Sequence, residues 1–186
     1  MPLYRFAVVG YFSLNVPSRP PNIFQTRIGE AIKKALNKLK DADEDCRQLF
    51  EHLGVRVEGL GDALNDLDPE NQFRDGEHSQ DNLWTVMGGE VAGTDSTTTV
   101  ADLFRMGDPP WPSNRPIDGL SAPNGIIYLR PMAISWENIL HETLHQFGGW
   151  FSKDHNLLAR LNIWYPTIDP EGASSQISDI IKEKCN

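Results

Sequence analysis

His141-Glu142-Thr143-Leu144-His145 places two histidines four residues apart, with a glutamate directly after the first. On an α-helix four residues make a little over one turn. Both imidazoles then project from one face and can hold a single metal ion. Glu142 stands about 100° around that helix, from where its carboxylate can reach a water on the metal. The pattern therefore demands a helix here, packed on a core along one side and open to a cleft along another. Local signals agree over residues 135 to 148. Ser135 is a good N-cap, Glu137 falls in the first turn and Gly148-Gly149 supplies a stop. Between them Trp136, Leu140, Leu144 and Phe147 recur at helical spacing as an apolar stripe, with His141 and His145 on an adjacent face.

Upstream, Asn124-Gly125 is a turn signal, and Gly125-Ile126-Ile127-Tyr128-Leu129 reads as a short apolar strand that Pro131 ends. A strand followed by a helix with this motif resembles the zincin metallopeptidases, over about residues 124 to 165. The resemblance implies a Zn²⁺ cofactor held by His141 and His145, with Glu142 as the general base of peptide-bond hydrolysis. It also implies that the edge strand beside the site pairs with an extended peptide substrate. The alternative is a protein that keeps the zinc-site scaffold as a binding or structural module. An intact Glu142 argues against that alternative, because a closed structural zinc site has no need of it.

Two histidines leave the zinc site short of a ligand. Candidates follow in Ser152-Lys153-Asp154-His155-Asn156, before an apolar helical stretch from Asn156 to Leu161. His155 is the first choice, swung over the metal after the glycine pair. Asp154 is the second, since carboxylates also bind zinc, although it also suits an N-cap role. Glu171, beside Pro170 at a helix start, and Glu183, on a charged helical face, rank below both. The longer metzincin pattern is not met: Gly148 matches its glycine, but Phe151 occupies the last ligand position. For the oxyanion of a tetrahedral intermediate, Tyr165 is a candidate phenol donor and Tyr128 another. His52 and His78 read as surface residues.

The chain of 186 residues is long enough for one domain with a sizeable core. The sequence indicates an α+β fold, mostly helical, with a small sheet and a zincin-like active-site helix. A helical part spans about residues 23 to 68, and the core carrying the motif spans about 71 to 186. Ile23, Ile28, Ile32, Ala35, Leu36 and Leu39 mark the first helix; a second opens at Asp43 and stops at Gly54; a third runs from Leu60 to Leu67. Lys33, Lys34, Lys38 and Lys40 read as a solvated face. Short strand-like pieces at Leu83 to Met87 and Thr97 to Val100 are expected to join the strand at Ile126. Asp95, Asp102, Asp108 and Asp118 fit turns better than calcium loops.

A net charge of −9 makes nucleic acid a poor partner, since phosphate repulsion would dominate. No stretch approaches the roughly 20 apolar residues of a membrane span, and a mean hydropathy of −0.42 fits a soluble chain. The expected partner is a peptide or protein substrate. The two cysteines permit one disulfide, Cys46 to Cys185, which leans toward a secreted or periplasmic setting. Nothing in the sequence fixes an oligomeric state.

Overall fold

Asn22 opens the first helix by accepting a hydrogen bond from the Phe24 N–H, and α1 (Ile23–Lys40) buries Phe24, Ile28, Ala31, Ile32, Ala35 and Leu39 along one stripe. The computed structural model describes residues 22–106, 117–148, 153–163 and 171–186. The proline-rich segment before Asn22 lies outside them. Asp43 caps α2 (Glu44–Leu53), and Gly54 ends it at φ 89°, a left-handed conformation that glycine adopts without a Cβ penalty. The third helix, α3 (Val57–Asn65), starts and stops earlier than its apolar pattern suggests.

Two short helices follow where strands are expected. Asn82 accepts from the Thr85 N–H and starts α4 (Leu83–Met87), which Gly88 closes at φ 74°. Thr99 and Asp102 then cap one another reciprocally, the Asp102 carboxylate accepting from the Thr99 N–H and hydroxyl, at the start of α5 (Val100–Met106). Thr99 keeps only an isolated bridge to Asn82. Local capping outweighs the strand preference of a Trp, Thr and Val run. Asp95 likewise sits in a turn, accepting from the Thr97 N–H. Asp108 lies outside the described residues.

The sheet is built from other segments. Its order is β1 (Phe73–Asp75), β3 (Ile127–Leu129), β2 (Gly119–Ser121), with β1 parallel and β2 antiparallel to β3. The strand before the motif helix is therefore central rather than an edge, and its residues are buried on both faces. The edge beside the motif helix is β2.

The sheet separates two cores. Phe73, Ile127 and Leu129 face the larger one, shared with α1, α2, α3 and the helices described next. Tyr128, between Ile127 and Leu129 on β3, faces the smaller one, with Leu83, Val86, Val100, Leu103 and Phe104. A 3-10 turn at Pro131–Ala133 leads into α6 (Trp136–His145), which Ser135 caps through the Asn138 N–H. Of two further helices, α8 (Glu171–Lys184) packs on it, and α7 (Asp154–Arg160) packs on α8 and α2. A disulfide between Cys46 and Cys185 ties α2 to the residue just after α8. The fold is α+β and mostly helical. No described helix is long and apolar enough to cross a membrane.

Candidate metal centre

The motif helix is buried on more sides than its stripe implies. Trp136, Leu140 and Leu144 face the core, joined by Ile139, whereas Phe147 lies past the helix end and is 42% exposed. His141, Glu142 and Thr143 are also buried. A polar or ionisable group at such a depth needs a partner. Each of these has one.

His141 and His145 bring their Nε2 atoms to 3.1 Å of one another, as i, i+4 spacing on one helix face requires. Asp154 Oδ1 completes a triangle, 2.7 Å from His141 Nε2 and 3.1 Å from His145 Nε2. Ligands about 2.0–2.2 Å from a tetrahedral zinc stand roughly 3.3 Å apart. Three donors at 2.7–3.1 Å thus come near one face of such a tetrahedron. Two imidazoles and a carboxylate are also a donor set that zinc accepts. Among the described residues, His141, His145 and Asp154 fit a divalent cation. Burial alone would raise the Asp154 carboxyl, but the His141 and His145 rings outweigh it and hold it well below the usual carboxylate range.

The structure does not bring His155 to this group. Residues one apart on a helix point about 100° apart, so only one of Asp154 and His155 can face α6. α7 buries Leu157 and Leu158, three and four residues after Asp154. That places Asp154 on the inward side, while His155 is exposed. Asp154 is not a cap either; Lys153 holds that position without a side-chain bond. Glu183 is exposed on α8, apart from the triangle. Tyr165 and Phe151 lie outside the described residues. Tyr128 donates its hydroxyl to Asp81 Oδ2 at 2.7 Å, on the sheet face of the smaller core, so it is committed elsewhere. His52 and His78 are exposed, with His78 paired to Asp75.

Glu142 faces β2. Gly119 and Ser121, two apart and thus on one face of that strand, both meet it. Ser121 Oγ lies 2.9 Å from Glu142 Oε2 and 2.9 Å from the Glu142 carbonyl oxygen, so its single proton serves one at a time. A Cβ at position 119 would overlap Glu142 Oε1, so any larger residue there requires the carboxylate to shift. Behind the triangle, Ser178 Oγ on α8 is 3.1 Å from His141 Nδ1. Gly119, Ser121 and Ser178 carry no short-range signal, because their partners lie 21 to 37 residues away.

The arrangement can hold a cation on one helix face, with a buried carboxylate on the adjacent face between that helix and a sheet edge. No protein-family model matches the chain, and neither a curated protein nor a solved structure does.

Proposed function

We propose that the protein is a zinc-dependent, metallopeptidase-like hydrolase of peptide bonds. One observation carries this reading: His141, His145 and Asp154 converge through Nε2, Nε2 and Oδ1, while Glu142 adjoins the first histidine and meets the sheet edge. His141, His145 and Asp154 would hold Zn²⁺, which when bound supplies Lewis acidity and a water of lowered pKa. Glu142 would accept a proton at its carboxylate and return it to the leaving amine. The edge strand β2 offers backbone groups on its unpaired side, among the described residues, to an extended peptide. Tyr165, the phenol expected from sequence to serve the oxyanion, lies outside the described residues. The disulfide suits an oxidising, secreted or periplasmic setting.

A second reading is favoured by the burial of Glu142 and its bond to Ser121. A carboxylate so engaged fits a binding protein that keeps the scaffold without turnover. Elemental analysis of protein purified without chelator, with His141→Ala as control, addresses the metal. About one zinc per chain, lost in the variant, is the expected result; no zinc even after its addition would sink the hydrolase. Glu142→Gln separates the two readings. Zinc retained with hydrolysis of a peptide library abolished supports the enzyme, and a parent that binds zinc but cleaves nothing supports the binding protein.

A further inference from the structure

α8 is laid on the core by Ala173, Ile177, Ile181 and Cys185, a stripe at i, i+4, i+8 and i+12. Ser178 interrupts the apolar character of that side. It is 8% exposed and therefore needs a hydrogen-bond partner. Its partner is His141 Nδ1 at 3.1 Å, and His141 itself is 2% exposed.

We propose that Ser178 is a positioning residue for the metal site, fixing which ring nitrogen of His141 faces the metal. The inference rests on the metal reading above. His141 has two ring nitrogens, and Nε2 is the one that meets Asp154 Oδ1 and His145 Nε2. A ligating imidazole must present a lone pair there, which puts its proton on Nδ1. Among the described residues its acceptor in this buried place is the Ser178 hydroxyl oxygen. By accepting that proton the hydroxyl stabilises the tautomer that a metal at Nε2 requires, and it holds the ring plane, since a rotated ring would take Nε2 out of the triangle. Among the described residues, the last helix thus supplies no ligand but sets the aim of one.

The test is zinc affinity of the full chain, measured by competition with a chelating dye, for the parent, Ser178→Ala and Ser178→Thr. Loss of such a partner typically weakens metal binding about 10- to 100-fold. Ser178→Ala is expected to show a loss of that size, together with a modest fall in the metal-free melting temperature from the ring nitrogen left without its partner. Ser178→Thr, which keeps the hydroxyl, is expected to recover most of the affinity. Parental affinity in Ser178→Ala overturns the proposal and leaves the metal site standing. Equal losses in both variants also overturn it, because packing rather than the hydroxyl is then responsible. A parent that binds no zinc defeats the metal reading, and the proposal with it. Should Ser178→Ala not fold, imidazole ¹⁵N spectra of the zinc-loaded parent decide: coordination through His141 Nε2 with a slowly exchanging Nδ1 proton supports the assignment. Coordination through Nδ1, or a rapidly exchanging Nδ1 proton, overturns it.

Discussion

Gly119 shows how closely the edge strand and the motif helix approach. A methyl group there would enter the space of the Glu142 carboxylate, and the strand is held by its pairing with Leu129 and cannot retreat freely. Gly119→Ala is expected to lower stability by about 1–3 kcal/mol, the range for overpacking a filled site. It should also move Glu142 while sparing His141, His145 and Asp154, so zinc affinity should stay near parental as hydrolysis falls. Urea denaturation beside dye competition checks both, and an alanine variant of parental stability would remove the contact from the account. At this scale the histidine pair was legible because its geometry is local: two residues, one helix, one turn. The choice of Asp154 over His155 was half legible. Leu157 and Leu158 mark the inward side of α7, and Asp154 shares it. Ser121 and Ser178 were not legible, because α6 meets them only through tertiary packing.

Elements were legible where periodicity ran long and illegible where it ran short. α1 and α2 follow their apolar stripes and capping residues closely. Leu83 to Met87 is a single turn and a half, too short for a period, and its Trp, Thr and Val favour a strand. The deciding signal was Asn82. Its Oδ1 accepts from the Thr85 N–H at 3.0 Å and the Thr85 hydroxyl at 3.1 Å, and its Nδ2 donates to the Ser96 carbonyl at 2.7 Å. The same residue therefore starts α4 and fastens it to the loop before α5. Asn82→Ala should cost about 1–2 kcal/mol, the upper part of the range for a lost N-cap. The loss should appear as a lower urea midpoint with an unchanged slope. A midpoint within error of the parent would mean that α4 holds by packing of Leu83 and Val86 alone. The strand pairing was illegible for a related reason: β1 and β2 are three residues each, and their register comes from β3 and the helices beneath rather than from their own sequence.

In the molecule as a whole, α6 connects everything that bears on the site. It packs against α1, α3 and α8, and against β2, so the triangle and Glu142 are held by segments from both ends of the chain. α8 is the most distant of these in sequence from α1 and α2. What fixes it there, besides its apolar stripe, is the bond from Cys46 to Cys185, which closes a sequence separation of 139 residues. In the chain-entropy picture a loop of that size stabilises by about 5 kcal/mol, comparable with the lower end of the total stability of an ordinary domain. Both cysteines are buried, so the stabilised end of α8 is also the end packed into the larger core. Replacing both by alanine is expected to lower the urea midpoint strongly. Because α8 carries the residue behind His141, zinc affinity should fall with it, more than in Asn82→Ala brought by added urea to the same residual stability, since Asn82 lies across the sheet in the smaller core's layer. Comparing zinc dissociation constants at that matched residual stability isolates the effect. Equal affinities would show that the disulfide sustains the fold without bearing on the site. A weaker constant in the cysteine variant would place the far end of the chain within the metal centre's support.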